Sequence, residues 1–285
     1  MKEYIIATDV ASDLPKEVID KYEIKMFHLV PFLDGKDVRG ISNIDFYNKM
    51  RSGSTSSTSA GNIADITDFF EGIISDEGKD ILYIGFSSGL SSQSQTAAFV
   101  AEEINEKYGR QVVTVIDSLC ACAGQGYLVH TALSNRENGM SLSENAEYIE
   151  KVKLNMCHWF TVGSLTYLKR GGRVSSFAAL AGTILNIKPI LKIDDNGKII
   201  GHSKEKGRKG SLKELCQKVK ENIDYSYGKT VYIGHGDCID DANAVADMIR
   251  QETDVDNVVI YEIGPVIGAH AGPDTIAIFF YGANR

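Results

Sequence analysis

The chain has 285 residues, 43% of them hydrophobic and 24% charged, with a formal net charge of −8. That length points to two domains or one elaborated α/β domain. The acidic balance argues against nucleic acid or an anionic membrane as main partner, because phosphate binding needs a basic surface, and no stretch approaches the ~20 apolar residues of a membrane span.

EYIIAT (3 to 8) predicts a strand, and Ser12 or Asp13, followed by Pro15, predicts the start of a helix. The opening MKEYIIATDVASDLP is acidic and only briefly apolar, so neither a signal nor a transit peptide is expected. MFHLVPFL (26 to 33) reads as a second strand. Ser54 to Ser59 is an unbroken row of hydroxyl side chains ending where Ile63, Ile66, Phe69, Phe70 and Ile73 fall at helical spacing. One or two hydroxyls suffice to cap a helix. A full row also suits an anion, because a helix N-terminus presents free N–H groups. Cap and anion site both stay open from this segment.

DILYIGF (80 to 86) predicts a buried strand, followed by the serine-rich turn of GFSSGLSSQSQ (85 to 95) and a helix to Tyr108. QVVTVID (111 to 117) predicts a further strand, with a helix over about 119 to 134 and a polar, Ser-capped helix over 141 to 155. The alternation implies a mostly parallel sheet covered on both faces. A second series starts at WFTVG (159 to 163), and Asn196-Gly197 marks a hairpin within 188 to 204. LKELCQKVKENI, KTVYIGH, DANAVADMIRQE, VVIYEIG and TIAIFFYG complete it as helix, strand, helix, strand, strand. The expected fold is therefore α/β with two domains: an N-terminal mostly parallel sheet flanked by helices (1–155) and a C-terminal mixed α/β domain (156–285).

Four places have the residues for chemistry. They are the hydroxyl row, the GFSSGL turn, YLKRGGRVS (167 to 175) with Arg170 and Arg173, and GAHAGPD (268 to 274), read as a turn that brings His270 close to a ligand. Gly171-Gly172 reads as a helix C-cap. KEKGRKG (204 to 210) is the densest basic stretch, either a solvated loop or a docking patch. Gly85 to Gly89 also matches the G-x-S-x-G elbow, so a serine hydrolase using Ser87, Asp237 and His270 is the rival reading. The crowd of further serines speaks against it. No metal set, P-loop or dinucleotide fingerprint is present, so no cofactor is expected. The five cysteines, an odd number without C-x-x-C, suit free thiols in a cytoplasmic protein.

Taken together, TDVASDLP, TSSTSAG, SSGLSSQSQTA, LKRGGRVSS and GAHAGPD resemble the motifs of the DegV family in order and spacing, over essentially the whole chain. Four positions depart from the family pattern: Val10 stands for a Ser, Ser57 and Thr58 for Gln and Pro, and Asp274 for a Gly. The resemblance implies a non-enzymatic protein that binds a long-chain fatty acid. Thr55, Ser56, Ser87, Ser88 and His270 would hold the carboxylate, with Arg170 and Arg173 as candidate anion or partner contacts. An ATP-dependent fatty acid kinase is the implied partner, making an acyl phosphate. The resemblance also implies a ligand tunnel between the two domains for the tail, its candidate lining being the small-residue run 176 to 191, with Ala178, Ala179, Ala181 and Gly182, and the apolar face of the helix from Ile63 to Ile74. A sensor or scaffold docking through 204 to 210 is a third reading.

Overall fold

A computed structural model of the chain describes residues 4–173, 186–283 and 285. Its first half runs β1 (Tyr4–Asp9), α1 (Lys16–Tyr22), β2 (Lys25–Phe27), β3 (Val30–Leu33), β4 (Lys36–Asp37), α2 (Asn43–Arg51), β5 (Ser56–Ser59), α3 (Ile63–Glu77), β6 (Asp80–Gly85), α4 (Gln93–Tyr108), β7 (Val113–Asp117), α5 (Ala123–Glu137) and α6 (Leu142–Val152). The second half runs β8 (Met156–Thr161), α7 (Thr166–Arg170), β9 (Ile187–Ile193), β10 (Ile199–Lys206), α8 (Gly207–Asn222), β11 (Thr230–His235), α9 (Ile239–Glu252), β12 (Asn257–Glu262), α10 (Pro265–Ala271) and β13 (Ile276–Tyr281).

Continuous apolar runs make the central strands: every residue of β1 is buried, and so is every residue of β13. β2, β1, β6 and β7 form a four-stranded sheet in that order, parallel throughout. The six-stranded sheet, ordered β10-β9-β8-β13-β11-β12, is mixed: β11 and β12 pair parallel and the other neighbours antiparallel. The mixed α/β class expected from the sequence is the one observed.

The stretch from 26 to 33 is two strands rather than one. β2 joins the parallel sheet, whereas β3 leaves it to form a small antiparallel sheet with β4 and β5. Pro31 has no N–H to give to a central ladder, which favours this departure. The hydroxyl row is β5 itself, with Ser59, Thr58, Ser57 and Ser56 opposite Val30, Pro31, Phe32 and Leu33. Exposure alternates along it, Ser56 and Thr58 being half-buried and Ser57 and Ser59 exposed.

Other boundaries shift for local reasons. Pro15, not Ser12 or Asp13, sits at the N-cap of α1, and Asp13 adopts a left-handed conformation with φ 48°. Ser141 caps α6 in a reciprocal box with Glu144. The stretch 204 to 210 is not a loop: it ends β10 and opens α8. GAHAGPD is not a turn up to His270, which stands in the last turn of α10 behind an N-terminal Pro265.

α5 packs against strands of both large sheets. Gly124 and Gly126 allow that approach, because a Cβ on Gly124 would overlap His158 Nε2 and one on Gly126 would lie 2.6 Å from Ser12 O. One apolar core consequently runs from Tyr4, Ile6 and Leu82 through Leu128 to Phe160, Phe279 and Tyr281. No helix among the described residues is long and apolar enough to cross a membrane. The run 176 to 185, with Ala178, Ala179, Ala181 and Gly182, lies outside the described residues.

Candidate functional site

A cavity of about 880 Å³, its open side included, lies between the two large sheets and the small one. Its wall is mostly hydrocarbon: Leu29, Phe86, Leu90, Phe160, Leu168, Ile193, Ile199, Ile263, Val266, Ile267 and Phe279, with Ala11, Ala60, Ala121, Ala271 and Ala277 between them. Thr58, Ser59, Ser91, Cys122, His158, Arg173, His270 and Thr275 are the remaining lining residues.

Two histidines differ in a way that gives the cavity a polar end. His158 Nδ1 faces Met156 O at 2.9 Å, and Nε2 faces the Ala121 N–H at 3.2 Å. A carbonyl only accepts and an amide only donates, so the ring is neutral with its proton on Nδ1. Burial first, then the positive charge of Arg285, pushes its pKa well below the usual histidine range. Both nitrogens are used, and the cavity meets a spent ring.

His270 is only half satisfied. Its Nε2 is 2.7 Å from Thr58 Oγ1, while Nδ1 is buried without a hydrogen-bond partner among the described residues. Burial and, after it, the Arg173 cation lower its pKa to about 4, so the ring is neutral at pH 7. Gly171 makes room for it: a Cβ there would overlap His270 Nδ1. The glycine that reads as a C-cap in sequence is thus also a clearance for imidazole. Arg173 donates through Nε to Leu90 O at 3.1 Å and through Nη1 to Gly171 O, which fixes its charge on the same side of the cavity.

The other sequence-predicted groups stand around this corner, outside the cavity lining. Thr55 is exposed, its N–H and hydroxyl both donating to Asp34 Oδ1 at 2.8 and 3.0 Å. Ser56 Oγ donates to Ala269 O at 2.6 Å, tying β5 to α10. Ser87 is fully buried, donating to Gly197 O at 2.8 Å and accepting from Gly89 N–H at 3.1 Å. Ser88 donates its N–H to Asp117 Oδ1 at 3.1 Å. Arg170 is exposed at the end of α7. Of the helix α3 proposed for the tail, no residue lines the cavity.

Thr58 and Ser91 reach the cavity although sequence reasoning gave them no first place. For Thr58 the signal was there: a strand through the hydroxyl row puts positions 56 and 58 on one face. For Ser91 it was not, because every serine of GFSSGLSS looks alike without the turn's geometry.

The serine-hydrolase relay is not assembled. Ser87 is bonded to Gly197, His270 to Thr58, and Asp237 is ion-paired with Arg51. Asp274, the carboxylate where the family pattern has glycine, also turns to Arg51 at 3.0 Å and away from the lining. Its φ of 61° is a conformation glycine adopts freely, which accounts for the family's preference. Beneath the cavity, Asp9 accepts from Tyr83 hydroxyl and from the N–H groups of Phe86 and Ala11 at 3.0, 3.0 and 3.1 Å. It thereby fixes the backbone of two lining residues, and burial raises its pKa against those bonds. Among the described residues no cluster suits a metal ion, and no disulfide joins any of the five cysteines.

Comparison with known proteins gives this geometry a context. A family model described as "Uncharacterised protein, DegV family" matches residues 4–283. A DegV domain-containing protein of Clostridium perfringens is 41% identical over 100% of this chain and 99% of its own length. A solved DegV family protein from Thermus thermophilus, described by its fatty acid binding, superposes with a TM-score of 0.87 at 26% identity, covering 98% of this chain and 99% of the other. A fatty acid binding DegV family protein from Streptococcus agalactiae superposes with a TM-score of 0.86 at 25% identity, covering 99% of each chain.

Proposed function

The chain belongs to the DegV family, and on that premise we propose that it binds a long-chain fatty acid, with the tail in the apolar cavity and the carboxylate at the His270 corner. The observation that carries this reading is His270 in the lining of a mostly hydrocarbon wall, its Nδ1 buried without a hydrogen-bond partner among the described residues. A buried polar atom without a partner costs free energy until something bonds it. A carboxylate does so while its tail fills the cavity.

The energetics divide accordingly. Burying about 16 methylenes at ~0.8 kcal/mol each yields a gross gain on the order of 12 kcal/mol. The head then needs only enough donors to avoid an unpaired buried charge. Ser91 and the hydrogen-bonded Thr58–His270 pair supply them, the pair giving one hydrogen while the ring is neutral, and Arg173 supplies a nearby positive charge. Ser56, Ser87 and Ser88 belong to the layer behind, and Thr55 to the strand's outer end. In this reading residues 1–155 provide the hydroxyl side of the site and 156–285 the imidazole and guanidinium side.

The chain itself is proposed to hold the lipid rather than transform it, and to present the carboxylate to a separate ATP-dependent fatty acid kinase that makes the acyl phosphate. Five cysteines with no disulfide among them fit a reducing, cytoplasmic setting. The test is titration of delipidated protein with palmitate. His270→Ala and Thr58→Ala are expected to weaken binding about tenfold each, for one lost hydrogen bond to a charged group. Wild-type protein that takes up no fatty acid would overturn the reading.

A further inference from the structure

The β9–β10 hairpin forms one wall of the cavity. β10 is an edge strand. β9 pairs with β10 along its whole length, yet it is in register with β8 only at Trp159↔Lys192 and Phe160↔Leu191. The base is tied by Gly207 N–H to Asn186 O at 2.7 Å, and α8 packs on both strands. Toward the tip, Ile193 and Ile199 face the cavity.

The tip is seated on the serine-rich turn after β6. Ser87 Oγ donates to Gly197 O at 2.8 Å and is itself held by Gly89 N–H. Fit is as tight as bonding: a Cβ on Gly89 would lie 2.5 Å from Asn196 O and 2.6 Å from Gly197 C, and one on Gly197 would overlap Ser87 Oγ. Gly197 has φ 69°, the conformation its place in the turn requires. Further ties run from Arg285 Nη1 to Asp194 O at 3.3 Å and from Lys192 Nζ to Arg285 O at 3.0 Å. Arg173 is bonded to Leu90 of the same turn, and a recess lined by Gly89, Leu90, Gly172, Arg173, Lys198 and Ile199 brings the turn, Arg173 and the start of β10 together.

We infer that Ser87 is a latch: its bond to Gly197 holds the β9–β10 hairpin shut over the cavity, and release of that tip is the step by which ligand enters and leaves. This rests on the fatty-acid reading for the identity of what passes, but the latch itself does not. Ser87 acts on the hairpin, not on the carboxylate. Its loss therefore changes rates, whereas loss of a carboxylate contact changes affinity.

Two variants open the latch by different routes. Ser87→Ala removes the bond, and Gly89→Ala drives a methyl group into the seated backbone. Deuterium uptake by peptides covering residues 187–206 and stopped-flow binding of cis-parinaric acid are measured on both and on wild type. The expected result is uptake about tenfold faster in Ser87→Ala, the share of one buried hydrogen bond. Association and dissociation of cis-parinaric acid then rise by a similar factor, with Kd changed less than about threefold. Gly89→Ala, which leaves the Ser87 hydroxyl in place, is expected to shift both readouts in the same direction. Unchanged uptake in both variants would remove the latch. Faster uptake with unchanged lipid rates would show that ligand passes elsewhere. Faster dissociation alone, with Kd raised in proportion, would make Ser87 a ligand contact instead. If wild type binds no cis-parinaric acid, the lipid reading falls and its gate with it, while the uptake arm still decides whether Ser87 clasps the hairpin.

Discussion

At the scale of single residues, His270 joins the site's geometry to its electrostatics. Its pKa of about 4 reflects burial beside the Arg173 cation with no anion present. A carboxylate arriving at this corner adds the missing negative charge, which favours the protonated ring. The His270 pKa is therefore expected to rise on palmitate binding, read from its imidazole resonances in a pH titration; a value that stays near 4 in the loaded protein would put the carboxylate elsewhere. Asp274 makes the opposite case, a family departure with little at stake. Asp274→Gly relieves a left-handed conformation and loses an exposed pair with Arg51. The two effects oppose, so stability is expected to change by no more than about 1 kcal/mol, with palmitate affinity unmoved. His270 and Arg173 were legible in the motifs because glycines flank them. Thr58 and Ser91 were off by a few positions, since which hydroxyl in a row faces inward depends on strand pairing that no single segment encodes.

At the scale of elements, the sequence was clearest where local chemistry acts alone. The Asn196-Gly197 hairpin and the Ser141 cap are both in place. It was least clear where a partner decides. Four hydroxyl residues form β5 because β3 offers a ladder to them, and the glycines of GAHAG hid a helix whose signal was Pro265. α5 shows tertiary demand overriding propensity. Alanine is the better helix former by ~1 kcal/mol, yet Gly124→Ala would press a methyl group into the buried ring of His158. A net destabilisation of about 1–3 kcal/mol is expected from this overpacking, measured by denaturant unfolding. A stabilised variant would mean that the α5 contact with β8 is looser than described.

At the scale of the whole molecule, two buried groups pull stability in opposite directions with pH. His270 has a folded-state pKa of about 4, below the ~6.5 of an unfolded histidine. The unfolded chain takes the proton first, so this contribution is complete above about pH 6.5 and is lost as pH falls toward 4. Asp13 is raised to about 7 by burial, so its contribution is complete below the ~3.9 of an unfolded aspartate and is lost as pH rises toward 7. Difference curves against wild type separate them. Asp13→Asn is expected to gain relative stability between about pH 4 and 7, and His270→Asn to gain it as pH falls from 6.5 to 4. A flat difference for either variant would contradict its assigned environment. The fold class was legible because strand and helix periods alternate along the chain. The cavity was not, because its wall is assembled from residues as distant as Ala11 and Phe279. The central claim is that hydrocarbon burial supplies the affinity and the His270 corner only docks the head. Calorimetric titration of delipidated protein with saturated fatty acids of increasing length tests it most directly. The account predicts about fourfold tighter binding per added methylene until the cavity is full, from ~0.8 kcal/mol each. Affinity that does not change with chain length would contradict it.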